Sequence, residues 1–540
     1  MATAMLETER KYEAAPDTPL PDLRGLPDVA SQSDFDEIGL KAVYYDTATY
    51  DLARVGITLR RRSGGDDAGW HLKIPHARRG TRTELRTPLN SADGEGSEDS
   101  EPPAEFAELL TARLRGRPLR PVAKIGTRRR RSMLMNAAGT PLAELALDTV
   151  TAEALGAHSS LTRWNELELE LADGIREGDG RRLLKAADRR LRRSGLVRSP
   201  HRMKLEVALA GALPESSANL SASTSTLTSA SASTSGSTET TLGASAPAGD
   251  VVLTYLRSQF DELLRRDLLV RRGEPDAIHR MRVSARRFRA ALQEFGRLFR
   301  RTETEHVISE LRWLGTELGR ARDEEVLRDL LITQLDQVPG ESVLGPVRAR
   351  ITGHFAPRYA DAERSVSEAL GTERYLELLD TLESFLTHPP LAASTAEQRA
   401  TDVLPRLVRH SQRRLKRRMR AAAQTTEGGR ERDSALHDAR KAAKRARYAA
   451  EVTSIVVGKR ARKSAKALEK VQSALGDHHD AVIAGDALRT LAIRAHAEGE
   501  SAYTYGLLHE RQTVRAARFA DCAEHRWRQA NRAKRRAWTA

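Results

Sequence analysis

The chain has 540 residues, 39% hydrophobic, 30% charged and 4% aromatic, with a formal net charge of +15. That length suits about two to four domains, and the charge points to a polyanionic partner: nucleic acid, an anionic membrane or a phosphate polymer. The single cysteine, Cys522, excludes an intrachain disulfide framework and a cysteine-built zinc site, and the scarcity of aromatics weighs against stacking single-stranded nucleic acid.

The first residues show no basic leader followed by an apolar stretch, and no apolar run reaches membrane-spanning length. A cytoplasmic protein without membrane attachment is expected. Glu7, Glu9 and Lys11 then stand two apart. On a β-strand all three project from one face, and two carboxylates beside an ammonium suit a hard divalent cation next to a phosphate.

Further strands are predicted over 43–45, 56–62, 70–74, 82–86, 142–150, 166–171 and 203–209, with helices over 105–115 and 181–194 and an acidic loop over 91–103. The strands alternate charge with apolar residues. Arg60 and Arg62 share a face, as do His71 and Lys73, Glu144 and Asp148, and Glu166, Glu168 and Glu170. A half-exposed strand gives the same alternation, but its recurrence in both signs favours a closed antiparallel barrel with a charged lumen. There, basic groups would neutralise phosphate oxygens and carboxylates would carry divalent ions.

Residues 213–249 are a Ser/Thr/Ala/Gly tract that cannot bury enough apolar surface to offset its chain entropy, and they are predicted to be a flexible linker. Beyond them apolar residues recur at helical spacing throughout. His279, Arg282, Arg286 and Arg289 fall on one helix face, with Met281, Ala285, Phe288, Leu292 and Phe295 opposite. Basic groups at this spacing repel one another, so an anion is expected to meet them.

The motif recurs 158 residues later, as His437, Arg440, Lys444 and Arg447. A second motif, Leu318-Gly319-Arg320-Ala321-Arg322-Asp323, recurs 157 residues on as Leu475-Gly476-Asp477-His478-His479-Asp480. The nearly equal displacement predicts two related bundles of about four helices each, over about 250–395 and 396–535, with a basic seam between them. The arginine-rich stretch 413–420 is expected to widen that seam. His478, His479 and Asp480 could be read as metal ligands, but packing or capping is the preferred reading.

Glu7-x-Glu9-x-Lys11, Leu59-Arg60-Arg61-Arg62, Leu72-Lys73, Arg82-x-Glu84, Leu147-Asp148 and Glu166-Leu167-Glu168-Leu169-Glu170 together resemble the CYTH family of triphosphate tunnel metalloenzymes. The resemblance covers residues 1–212. It implies an antiparallel tunnel acting on a triphosphate with Mg²⁺ or Mn²⁺. By motif, Glu7, Glu9, Asp148, Glu166 and Glu168 would bind metal, and Lys11, Arg60, Arg62, Lys73 and Lys204 would hold phosphates. Either or both of Arg128 and Arg130 would join them, since the run of four arginines leaves the register open. His71 stands where a small polar residue is commoner in that family.

Residues 250–535 resemble the CHAD domain, a helical family named for its histidines. That resemblance implies a basic surface binding inorganic polyphosphate, through His279, Arg282, Arg286, Arg287, Arg289 and Arg322 in one repeat and His437, Arg440, Lys441, Lys444, Arg447 and His479 in the other. The fold class expected is therefore a multi-domain α and β chain: an N-terminal antiparallel β-barrel with flanking helices, then an all-α domain of two related bundles. The function expected is metal-dependent hydrolysis of tripolyphosphate or polyphosphate. The alternatives are a non-catalytic polyphosphate binder and a tunnel enzyme acting on an organic triphosphate, either thiamine triphosphate or ATP undergoing cyclisation. Nucleic acid is permitted by charge, but no recognition helix stands out.

Overall fold

The computed structural model describes residues 3–16, 18–19, 21–76, 80–89, 101–156, 159–210, 243, 245–425, 429–532 and 536–539. It divides into two compact units, 1–235 and 236–540. Most of the expected linker, and residues 91–100 of the expected acidic loop, lie outside the described residues.

The first unit is built on β1 (Thr3–Ala14), β2 (Ser31–Gln32), β3 (Asp36–Asp46), β4 (Thr58–Ser63), β5 (Gly69–Pro75), β6 (Thr81–Thr87), β7 (Arg120–Met135), β8 (Pro141–Ala154), β9 (Ser160–Leu171) and β10 (Val197–Arg198). Eight of them close a ring in the order β1-β6-β5-β4-β3-β7-β8-β9 and back to β1. Every neighbouring pair in the ring is antiparallel. The short β2 and β10 attach to β7 and β1. Closure leaves the eight long strands no free edge.

The helices of this unit are α1 (Ala104–Leu109), α2 (Thr111–Leu114), α3 (Glu177–Arg193) and α4 (Lys204–Ala208). The pleat sends Leu145, Leu147, Leu167 and Leu169 outward, where they form one buried cluster with Leu183, Leu184, Ala187 and Leu191 of α3. The same pleat turns the intervening acids inward.

Two expectations need correction. Residues 203–209 are not a strand but the short helix α4. Glu206 accepts the backbone N–H groups of Arg202 (2.7 Å) and Met203 (3.3 Å), which starts the helix. Leu205, Ala208 and Leu209 pack with Val122, Val150 and Ala152 of the barrel. A seven-residue run is too short for its period to separate helix from strand. Conversely, β7 was hidden because its four consecutive arginines show no alternation.

The second unit is helical: α5 (Ala248–Arg271), α6 (Ala277–Phe295), α7 (Arg301–Leu335), α8 (Val347–Gly371), α9 (Glu373–Thr387), α10 (Ala393–Ala396), α11 (Ala400–Gln424), α12 (Arg430–Val457), α13 (Lys459–Ala497) and α14 (Tyr503–Ala530). The helices α5–α9 carry the first motif pair and α11–α14 the second. The first repeat thus has one helix more than expected. The motif helices α6 and α12 pack against each other. At the repeat starts, Ala248 N–H donates to the Gln398 carbonyl and Ala400 N–H donates to the Ala246 carbonyl, both at 2.8 Å.

Candidate functional site

The barrel encloses a cavity of about 400 Å³. β1 contributes Glu7, Glu9 and Lys11; β4 contributes Arg60 and Arg62; β5 contributes Lys73; β9 contributes Glu168 and Glu170. Strand pairing sets Glu9 opposite Glu170, Lys11 opposite Glu168, and Asp148 opposite Glu166. Two carboxylate triplets result, Glu7–Glu9–Glu170 and Asp148–Glu166–Glu168, each with oxygens within 4.8 Å of one another.

The triplets differ electrostatically. In the second, Lys204 reaches in from α4 to Asp148 (2.9 Å), Glu166 (2.7 Å) and Glu168 (2.7 Å). Arg129 adds bonds to Asp148 (2.8 Å) and Glu168 (2.5 Å), and Lys11 pairs with Glu168. Burial raises the Asp148 and Glu168 carboxyls, but these cations overcome it and hold both below the usual range. In the first triplet, Lys73 meets Glu7 at 2.6 Å and keeps it ionised against burial. Glu9 is raised by burial and by Glu7 and Glu168. Glu170 is pushed up to about 8 by burial, with Glu7 and Glu9 contributing. Lys11 also meets Glu9 at 3.1 Å, and oxygen donors this crowded fit a hard divalent ion.

The basic wall is organised by Glu84, which is fully buried. It holds Arg86 (2.5 Å), His71 (2.8 Å), Lys73 (3.4 Å) and Arg60 (3.9 Å). Arg60 also donates to the Tyr44 hydroxyl at 3.3 Å, and Arg62 to Asp67 at 3.0 Å. His71 has both ring nitrogens engaged, with Glu84 and with the Asp67 carbonyl, each at 2.8 Å. It is a strut of this wall, not a phosphate donor.

The sequence assignment fails in β7. Arg128 lies outside, exposed and 3.7 Å from Glu37, and Arg130 is exposed beside the Phe35 ring. Arg129 and Arg131 face inward instead. The register decides this, because Arg129 sits opposite Asp148. Sequence reasoning put Glu144 and Glu170 on charged strand faces and noted Arg82 and Glu84 without giving any of the four a site role, and it missed Arg86. The alternation of Arg82, Glu84 and Arg86, and the continuation of Glu166 and Glu168 to Glu170, were the available signals. No charge pattern announced Ile38, Leu40, Ala42 and Tyr44, which give the cavity a largely apolar β3 wall.

In the second unit the two motifs of each repeat meet. Arg282 of α6 lies against Gly319 of α7 and donates to Asp323 at 2.8 Å. Arg440 of α12 lies against Gly476 of α13, with Asp480 at 3.9 Å. Arg286 donates to the hydroxyl of Tyr448, on the other repeat, at 3.1 Å. Lys444 is pushed down to about 7 by burial, then by Arg440, Arg286 and Arg282, so both repeats crowd their cations together. The His437 and His479 rings pack with centroids 4.5 Å apart, tilted by 40°, and His479 is lowered to about 4 by burial and by Arg440. His279 is lowered by burial and by Arg322. Arg289 borders Arg286 and Arg282.

Three expected contributors are already paired. Arg447 bonds Glu451 (2.7 Å), Arg287 stands 3.8 Å from the same carboxylate, and Arg322 bonds Glu325 (2.8 Å). Lys441 is exposed, 3.4 Å from Asp438. His478 is buried against Asp433 at 3.2 Å, a packing role. Among the described residues, the groups that could hold a metal ion are the two barrel triplets, and no helix is long and apolar enough to cross a membrane.

Residues 5–195 match the family model of the CYTH domain, and residues 254–489 match that of the CHAD domain. An uncharacterized protein of Mycobacterium tuberculosis is 36% identical over 543 residues, covering 98% of both chains. Among solved structures, PptA from Streptomyces chartreusis is 24% identical over 52% of this chain and 100% of its own, with a TM-score of 0.45. The CHAD domain from the plant Ricinus communis is 26% identical over 53% of this chain and 93% of its own, with a TM-score of 0.43.

Proposed function

The chain belongs to the family that joins a CYTH domain to a CHAD domain, and from that premise we propose a metal-dependent phosphoanhydride hydrolase acting on tripolyphosphate or inorganic polyphosphate. The observation that carries this reading is the division of one cavity into carboxylate triplets and a wall of arginine and lysine. Bound Mg²⁺ or Mn²⁺ would supply charge neutralisation and an acidified water. Glu7, Glu9 and Glu170 would hold such an ion, and the Asp148–Glu166–Glu168 triplet is a second candidate. Arg60, Arg62, Lys73, Arg82 and Arg86 bind and orient the phosphate oxygens, while Lys11, Lys204 and Arg129 keep Glu168 ionised, the last two Asp148 as well. Arginine suits this task because its planar fork matches two phosphate oxygens at once.

An inorganic substrate is favoured over an organic triphosphate because Tyr44 is the one aromatic among the described lining residues, leaving little to stack a base or thiazole. The helical unit retains longer chains through the seam between α6 and α12. The test is phosphate release by the full-length protein from a panel of tripolyphosphate, polyphosphate, ATP and thiamine triphosphate with Mg²⁺ or Mn²⁺. Glu7→Ala with Glu9→Ala should lower turnover at least about 100-fold. Surviving activity would refute the metal role. Tight, salt-sensitive polyphosphate binding without any release would favour the non-catalytic alternative.

A further inference from the structure

The two repeats begin with equivalent helices, α5 and α11, but their charges are handled differently. On α5, Arg265 and Arg266 are held by Glu262 at 2.5 and 2.7 Å, and Arg271 by Asp267 at 2.8 Å. That helix consumes its own charge. On α11, Arg413, Arg414, Arg417 and Arg420 are exposed, with no carboxylate paired to them among the described residues. Arg413, Arg417 and Arg420 fall at helical spacing on one face, spanning about 10 Å along the axis. Like charges so placed repel one another unless an anion meets them.

This face is joined to the seam. Arg289 has Arg312 of α7, then Arg286, Arg445 and Arg282, as charged neighbours, and Arg445 in turn has Glu294 and Arg414. A line of guanidinium groups therefore runs from α6 across α12 to α11. The carboxylate on that line, Glu294, accepts a hydrogen bond from Ser411.

Building on the polyphosphate reading of the seam, we propose that the binding surface of the helical unit is lopsided. Of the two opening helices it extends over α11 and not α5, and there Arg413, Arg414, Arg417 and Arg420 engage phosphate chains too long for the seam itself. The surface thereby selects for chain length. A linear polyphosphate suits it because a flexible anion can follow a bent line of cations, with no aromatic platform and no groove-filling helix required.

The experiment uses full-length protein carrying Arg60→Ala and Lys73→Ala to silence the barrel. Tripolyphosphate and a long-chain polyphosphate are titrated across a salt series. Adding Arg413→Gln, Arg414→Gln, Arg417→Gln and Arg420→Gln should weaken long-chain binding at least about tenfold and lower its log–log salt slope by about 2 to 3, leaving tripolyphosphate within about twofold. Long-chain binding equal to the background protein, or an equal loss of both probes, would overturn the proposal. So would duplex DNA that binds as tightly as long-chain polyphosphate and weakens by the same factor. Arg282→Gln with Arg440→Gln should abolish both probes; retained tripolyphosphate binding there would instead overturn the seam reading beneath it.

Discussion

Arg129 donates to both carboxylate oxygens of Asp148 at 2.8 Å, across the β7–β8 pair of the barrel. Asp148 is fully buried, and the same guanidinium also bonds Glu168 and Glu144. Arg129→Ala would strip a buried carboxylate of its fork-shaped partner. The barrel should lose about 3–5 kcal/mol, read by denaturant unfolding. Arg128→Ala, one residue away but outside, should stay within about 0.5 kcal/mol. Equal effects would mean that the register of β7 is wrong.

The Glu7–Glu9–Glu170 triplet sets a second expectation. Glu170 is raised to about 8, so the metal-free folded state binds a proton there that the unfolded chain gives up near 4.5. Its contribution to stability is complete at low pH and is lost as pH rises from about 4.5 to 8. A divalent cation must displace that proton, so Mn²⁺ affinity should rise by up to about tenfold per pH unit below 8. Glu170→Gln should flatten the profile. A wild-type affinity unchanged between pH 6 and 8, measured by calorimetry, would contradict this account.

Lys444 titrates in the opposite sense. Burial and its arginine neighbours lower it to about 7 from an ordinary 10.5. Between those values the unfolded chain holds the extra proton, so stability should rise with pH across that window. A bound polyanion restores the charge, so polyphosphate binding should take up protons near neutrality and weaken several-fold from pH 6 to pH 8. Lys444→Arg should abolish the uptake, checked by titration in buffers of different ionisation enthalpy.

Gly319 and Gly476 predict an asymmetry. A Cβ on Gly319 would lie 3.0 Å from the Arg282 guanidinium, whereas one on Gly476 would lie 3.7 Å from that of Arg440. Gly476→Ala should gain about 1 kcal/mol from helix propensity and leave binding intact. Gly319→Ala should displace Arg282 from Asp323 and weaken polyphosphate binding several-fold. Identical behaviour of the two variants would show that this close approach does not position Arg282.

The barrel was legible wherever charge alternated with leucine, as in Glu166 to Leu171, because the pleat converts that alternation directly into inside and outside. It was illegible in Arg128 to Arg131, where every residue is the same and only pairing with β8 fixes parity. The 203–209 run was misread because tertiary packing on the barrel, not period, decides a five-residue helix. In the helical unit the duplication was plain from spacing. The neutralisation of Arg447 by Glu451 was not, since Arg447 matches its repeat partner residue for residue and only side-chain partners tell them apart.

The crossed hydrogen bonds of Ala248 and Ala400 tie the opening turn of each repeat to chain belonging to the other. Copying a half-domain usually leaves two portions free to diverge or be discarded. Here each portion's opening amide takes its acceptor from chain that leads into or belongs to the other, so neither copy begins as a finished fold by itself.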